Sequence, residues 1–494
     1  MRPVLTVDDV LTRAFKQVGY TPARERVNLE QYRTEDGIVR FVREVLGAEP
    51  APYQIDILRA LVREKRVAAR GPHGLGKTAL AAWVICWVMT VFDVDVKAPT
   101  TASAWRQLEK FLWPEIRKWA TQANWHRIGL TITPGQDLLQ LAFKRPGKEA
   151  FAVASDNPAL IEGAHASLIL YVFDEAKAIP AGTWDAAEGA FSGAGADTGG
   201  LAYALAISTP GEPSGRFYDI HARKPGYEDW WVRHVTLEEA IRAGRISREW
   251  VEQRRRQWGE NSAMYQNRVL GEFAASGEDS VIPLAWVEAA VERWHACGGQ
   301  VAANEDAPPS KKAYGLDVAR YGDDKTALCI VEGHVVAPLH YWSRQGTMQT
   351  VGRVANLLQD KDTPIGVDVI GVGAGVFDRL RELGYSACEV NVAEKTDLTD
   401  ASGTRQFINL RSAVWWMMRE LLDPDIGGKL ALPPDDLLTG DLVAPLWKET
   451  STGRILVESK DAIKLRIGRS TDAADALAIA LYAQLHGDIG ISFT

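Results

Sequence analysis

Residues 66–87, RVAARGPHGLGKTALAAWVICW, set a glycine-rich turn between a short apolar run and a helix-like run. A strand that feeds a tight glycine loop and then a helix belongs to a βαβ unit, which constrains the surrounding chain to a mostly parallel sheet flanked by helices. The turn fits G-x-x-x-x-G-K-[ST] from Gly71 to Thr78. Its glycines, Gly71, Gly74 and Gly76, let backbone N–H groups converge on phosphate oxygens, and the following helix adds its dipole. In that frame Lys77 reaches the terminal phosphates of ATP, and Thr78 gives its hydroxyl to Mg²⁺. A chance match in a chain with 43 glycines is the bland alternative. The strand before the turn and the helix after it argue against chance.

The same alternation of strand-like and helix-like runs extends well beyond the loop. KRVAAR, DVDVKAP, LAFKR, SLILYVFDEA and LAYALAISTP are the strand candidates between residues 54 and 235, with helical stretches between them. Residues 1–50 read as a polar helical segment that ends at the prolines of GAEPAPYQ. Residues 51–235 then form a P-loop ATPase domain, and residues 236–297, helical in period, form a linker. Residues 298–494 form a second α/β domain that opens with AYGLDVARYGDDKTALCIVEG. No internal repeat or low-complexity segment interrupts this order.

A phosphate loop needs acidic partners. LILYVFDEA is a continuous apolar strand of the kind buried on both faces, and it ends in Asp174 and Glu175. Asp174 can hold the magnesium and Glu175 can orient and deprotonate an attacking water. Two acids capping a following helix are the bland alternative. Gln54 in PAPYQ is placed to read an adenine edge, and Ser208 and Thr209 in AISTPG end a strand where a γ-phosphate is sensed. Thr100 and Gln107 follow a strand at a position suited to coupling with a polynucleotide. Arg70 and Arg145 are candidates for a charge-stabilising arginine.

A second group of acids lies in the last domain. Asp317 in YGLDVARYGDD and Asp368 in PIGVDVIGVG each sit in an apolar strand, where a carboxylate is costly unless a cation or hydrogen bonds neutralise it. TDAADALAIA opens a helix with Asp472 and Asp475, three residues apart and so on one face. Acids from three separate segments are the material of a two-metal phosphodiesterase site holding two Mg²⁺ or Mn²⁺. Each acid taken singly also has a structural reading: Asp472 as a helix cap, Asp323 and Asp324 as turn residues.

Composition limits the alternatives. The net charge of −8 argues against a protein that coats nucleic acid nonspecifically, although EQRRRQW gathers Arg254, Arg255 and Arg256. The four cysteines are scattered with no CxxC pair and read as reduced thiols of a cytosolic protein. No apolar run suits a membrane span or the core of a signal peptide.

The order of these motifs resembles the large terminase subunit of tailed bacteriophages, and the resemblance runs from PYQ to DAADALAIALYAQ. It implies an α/β chain with an N-terminal P-loop NTPase domain, a helical linker and a C-terminal ribonuclease-H-like nuclease domain. By that resemblance Gly71–Thr78 is the Walker A loop, Asp174 and Glu175 the Walker B pair, and Ser208–Thr209 the coupling motif. Asp317, Asp368 and Asp475 become nuclease metal ligands. TDAADALAIA is also similar to the last motif of bacterial junction resolvases, which adds Asp472. The implied function is a motor that drives double-stranded DNA into a procapsid by ATP hydrolysis, with an endonuclease that cuts concatemers to genome length. The implied partners are DNA, a portal protein, a small terminase subunit and further copies in a ring of five. The implied location is the host cytoplasm and, transiently, the procapsid, with no membrane and no secretion. Two rivals remain: a cellular repair helicase or translocase fused to a junction-resolving nuclease, and an ATP-switched assembly protein whose last domain only docks DNA.

Overall fold

The computed structural model describes residues 28–154, 166–191, 200–274, 276–277, 279–301, 311–319, 324–358 and 360–486. The helical reading of the first 27 residues, the turn acid Asp323 and the tail beyond residue 486 lie outside them. Two compact units emerge. One comprises the described residues up to Ala68, Gly76–Ile207 and Gly226–Val232; the other comprises Ala69–Leu75, Ser208–Pro225 and the described residues from Arg233 onward. No helix of the described residues is long and apolar enough to cross a membrane.

The first unit is built on a seven-stranded sheet in the order β3-β4-β2-β5-β6-β1-β7. The strands are β1 (Arg66–Arg70), β2 (Val96–Ala102), β3 (Ala142–Arg145), β4 (Lys148–Ala152), β5 (Leu168–Asp174), β6 (Leu201–Ser208) and β7 (Trp231–His234). Strands β4, β2, β5 and β6 run parallel, and β3 turns back antiparallel on β4. All seven residues of β5 are buried, as its unbroken apolar run requires of a central strand. The five expected strand runs are β1, β2, β3, β5 and β6. Strands β4 and β7 are additional: KEAFA is short and starts charged, so its pairing with β2 and β3, rather than its own propensity, makes it a strand. The helix Lys77–Val91 is buried from Leu80 to Val91 and apolar all round, which marks it as a central element of the domain. Trp87 in it meets Phe92 and Tyr203 edge-on.

The second unit contains a six-stranded sheet. It consists of β8 (Lys312–Asp317), β9 (Thr326–Glu332), β10 (Val335–Val336), β11 (His340–Trp342), β12 (Ile365–Asp368) and β13 (Ala387–Val390). The order is β10-β9-β8-β12-β13, with β11 also on β9. Strands β8, β9 and β10 pair antiparallel, whereas β8, β12 and β13 are parallel, so this sheet is mixed. A two-stranded hairpin, β14 (Trp447–Glu449) with β15 (Ile455–Val457), stands apart from it. The helices Leu237–Arg242, Arg248–Trp258 and Leu284–Ala296 also fall in this unit. The arginine run lies in the second of them. Arg255 and Arg256 both pair with Glu252, and Arg254 lies over Trp250 and Trp258.

The helix Asp472–His486 lies across β8, β9 and β12, and glycines in the strands allow its close approach. A Cβ on Gly315 would collide with the backbone of Ala476 and Ala480, and one on Gly366 would reach Ile479 Cγ2 at 2.7 Å. Ala476, Ala480 and Ala483 keep the helix face thin on the other side of the contact. Bulk added at this seam must push the helix off the sheet. Gly315→Val is therefore expected to destabilise this unit by about 3 kcal/mol, read as a lower denaturant midpoint. Wild-type stability in that variant would contradict the packing described.

Candidate functional site

In the first unit, β5 delivers Asp174 to the carboxyl edge of the sheet, in register with Ala102 of β2 and Ile207 of β6. The chain then reverses at once: Glu175 takes a left-handed backbone, φ 47° and ψ 49°, and its amide donates to Asp174 Oδ1 at 3.1 Å. A non-glycine residue held there costs on the order of 1–3 kcal/mol, a strain typical of functional turns. Lys77 is half-buried, and desolvation lowers its ammonium below the usual lysine range, while the carboxylates of Glu175 and Asp174 pull the other way. Burial and the neighbouring Glu175 push Asp174 up to about 7 against the opposing Lys77 charge. Lys77, Asp174 and Glu175 thus form one electrostatic group. Thr78 follows Lys77 in the first turn of a helix whose N-terminus has no side-chain cap, as suits anion binding. Gln54 is buried and braces the loop: its Oε1 accepts from Ala51 N at 2.9 Å, and its Nε2 donates to Gly76 O at 3.3 Å. The hydroxyl of Thr100 is engaged inside the fold, between Phe151 O and Trp113 Nε1.

The first half of the glycine loop falls in the second unit, where Arg268–Phe273 fastens it. His73 N donates to Arg268 O at 3.0 Å, and Arg70 Nη1 reaches Gly271 O at 2.5 Å and Glu272 Oε2 at 2.6 Å. The Arg70 guanidinium also lies over the Phe273 ring. Gly74 and Gly76 take φ of 84° and 71°, so both need glycine. Gly271 has φ 70°, and a Cβ there would meet Gly71 Cα at 2.6 Å and Pro72 Cδ at 2.8 Å. Gly271→Ala must therefore displace the loop, and an active-site displacement near 1 Å costs on the order of 10²-fold in rate. If the loop binds a nucleotide, a phosphate-release assay on that variant should show a loss of this size; an unchanged rate would contradict the close approach described. Ser208 ends β6, and Thr209 follows it. Both are buried, and the Ser208 hydroxyl donates to Thr209 O at 2.7 Å.

The acids of the second unit gather around a residue the sequence did not single out. Lys460, the first residue of the helix Lys460–Ile467, places its Nζ 2.6 Å from Asp317 Oδ2, 3.0 Å from Asp472 Oδ1 and 3.5 Å from Asp475 Oδ2. Asp317 comes from the end of β8, and Asp472 and Asp475 from the first turn of the C-terminal helix. Asp368 ends β12, the neighbour of β8, and accepts from Ile370 N at 3.0 Å; burial raises its carboxyl, and the Lys460 charge opposes that. Burial pushes Asp317 up to about 8 even with Lys460 opposing it. Asp475 is held below the usual carboxylate range. Burial acts against that, and the Arg411 and Lys460 charges override it. Asp472 Oδ2 also accepts from Lys325 N at 2.8 Å. Among the described residues no group of three or more His, Cys, Asp or Glu side chains stands ready as a metal cage; the acids converge on an ammonium. The donor set is entirely carboxylate oxygen, which suits Mg²⁺ or Mn²⁺ rather than softer metals.

No family model matches the chain. Over 267 residues it is 25% identical to the "Probable terminase, large subunit" of Enterobacteria phage P7. The chain is similar to phage large terminases. That match takes in 50% of this chain and 51% of the phage P7 protein, so the chain spans about half the length of the curated relative it matches. Among solved structures, the large terminase of a thermophilic bacteriophage is 13% identical at a TM-score of 0.40, covering 89% of this chain and 99% of that one. The HK97 bacteriophage large terminase is 15% identical at 0.38, covering 90% and 99%. The nuclease domain of the large terminase subunit gp2 of bacterial virus Sf6 is 20% identical at 0.33, covering 40% and 96%.

Proposed function

We propose that this chain is the large terminase subunit of a tailed bacteriophage, in which ATP hydrolysis drives double-stranded DNA through a portal into a procapsid and a second site cuts concatemers to genome length. The observation that carries the proposal is the presence, in one chain, of two lysine–carboxylate centres at the ends of strands of two α/β sheets, each built on buried aspartates. The similarity to the phage P7 terminase supports the same reading.

In the first centre, Gly71, Gly74, Gly76 and Lys77 bind the phosphates of ATP, and Thr78 and Asp174 would hold Mg²⁺. Glu175 orients a water and accepts its proton. Gln54 steadies the loop through Gly76 and would read the adenine edge, and Ser208 and Thr209 would report the state of the γ-phosphate. In the second centre, Asp317, Asp368, Asp472 and Asp475 would hold two Mg²⁺ or Mn²⁺, which when bound neutralise charge on the phosphodiester. Lys460 must release its carboxylates for that, so it is the residue that keeps them paired beforehand. DNA is held through its phosphates, independent of sequence and sensitive to salt. The domain limits 51–235, 236–297 and 298–494 belong to this proposal. So do a ring of five on the portal, a small terminase subunit as partner and a location in the host cytoplasm.

The discriminating experiment offers the full chain ATP with linear or forked duplex DNA. Stimulated ATP hydrolysis with no strand separation is expected. Separation of the forked duplex would move the chain to the class of repair helicases fused to a junction-resolving nuclease.

A further inference from the structure

Arg411 stands where a charge is hard to explain by stability alone. It is the second residue of the helix Leu410–Leu422, whose other buried residues are apolar except Ser412, and its side chain is 7% exposed. Nη1 donates to Asp475 Oδ1 at 2.6 Å and Nε to Glu458 O at 3.1 Å. Nη2 is buried without a hydrogen-bond partner among the described residues. A guanidinium taken out of water with one nitrogen unpaired is a poor stabiliser, and apolar packing commonly does as well. What the residue achieves instead is geometric. One turn along the same helix, Trp415 stacks beneath the guanidinium and donates its Nε1 to the same oxygen, Asp475 Oδ1, at 3.0 Å. Asp475 Oδ1 is thus gripped by two rigid planar donors from a helix other than its own. The opposite oxygen, Oδ2, takes the Thr471 hydroxyl at 2.9 Å and faces the Lys460 ammonium at 3.5 Å.

We propose that Arg411 is a positioning residue of the carboxylate site: with Trp415 it clamps Asp475 by Oδ1, so that Asp475 presents Oδ2 alone, in one rotamer, to a divalent cation. The inference rests on the nuclease reading of the acid cluster. Its logic is that of partners outside the ligand shell that orient the ligands, whose loss costs about 10–100-fold in metal affinity. Nothing in the sequence names this partner, but an arginine inside NLRSAVWWMMRELL is a signal that a buried acid must answer it.

The test is Mn²⁺ binding to the full chain by calorimetry, without DNA or turnover, in wild type, Asp475→Asn, Arg411→Gln, Arg411→Lys and Trp415→Phe. Arg411→Gln is expected to weaken Mn²⁺ by about 10–100-fold. Arg411→Lys, which keeps the charge without the planar fork, should fall between it and wild type. Trp415→Phe should lose less, because it removes one neutral donor. If Arg411→Gln does not fold, the Lys and Phe variants carry the decision. Wild-type affinity in the folded arginine variants, with only the melting temperature lowered, would overturn the inference while leaving the site itself intact. Equal Mn²⁺ binding by wild type and Asp475→Asn would instead overturn the metal-site reading beneath it.

Discussion

Lys77→Ala is expected to abolish ATP hydrolysis, by on the order of 10²–10³-fold in kcat at minimum, and to leave metal-dependent nicking of DNA unchanged. Two effects add. The variant loses the cation that meets the charge developing on the transferred phosphate. It also removes the charge that opposes the rise of Asp174, already pushed up to about 7 by burial and Glu175. The carboxyl that would serve magnesium therefore shifts further toward its neutral form. Folding is expected to survive, because an ammonium partly withdrawn from water is a cost that alanine does not carry. Phosphate release measured beside a melting curve checks this, and hydrolysis near the wild-type rate would contradict the role given to the glycine loop.

Asp317→Asn is expected to do the reverse. The substitution keeps the size of the side chain and removes only its charge. Because burial pushes Asp317 up to about 8, the neutral form is already close at hand near pH 7, so the amide should be tolerated by the fold. A divalent ion, however, needs the carboxylate, and Lys460 loses the partner at 2.6 Å that anchors it among the acids. Loss of several kcal/mol of metal assistance corresponds to on the order of 10³-fold in rate. Relaxation of supercoiled plasmid in Mn²⁺ should fall by that factor while phosphate release from ATP stays at the wild-type rate. Retained nicking would exclude Asp317 from the site.

The central strands of both sheets were legible in the chain because their signals are local, whereas β4, β7, β10, β11 and β13 were not. The apolar run LILYVFD has no polar position to place at a surface, and it is a fully buried central strand. A glycine loop between strand and helix is likewise a pattern of adjacent residues. The acids could be picked out because carboxylates at the ends of apolar strands violate the ordinary preference for burial. Their neutralisation could not be picked out, since it comes from residues distant in sequence: Lys460 is 143 residues from Asp317, and Arg411 is 64 from Asp475. The seam of Gly315 and Gly366 was equally silent, because a glycine in a strand does not say which helix will lie on it. The grip of residues 268–273 on the first half of the glycine loop joins segments about 200 residues apart, and no periodicity encodes that pairing.

The central claim is that one chain carries an ATP-hydrolysing centre at Lys77 and an independent carboxylate nuclease centre at Asp317, Asp368, Asp472 and Asp475. The most direct measurement is a crossed assay of the full chain at low salt, scoring plasmid nicking in Mn²⁺ and phosphate release from ATP for wild type, Lys77→Ala and Asp317→Asn. Wild type should show both activities, and each variant should lose only its own. Intact plasmid with the wild-type chain in Mn²⁺, or the loss of both activities in either folded variant, would contradict the account.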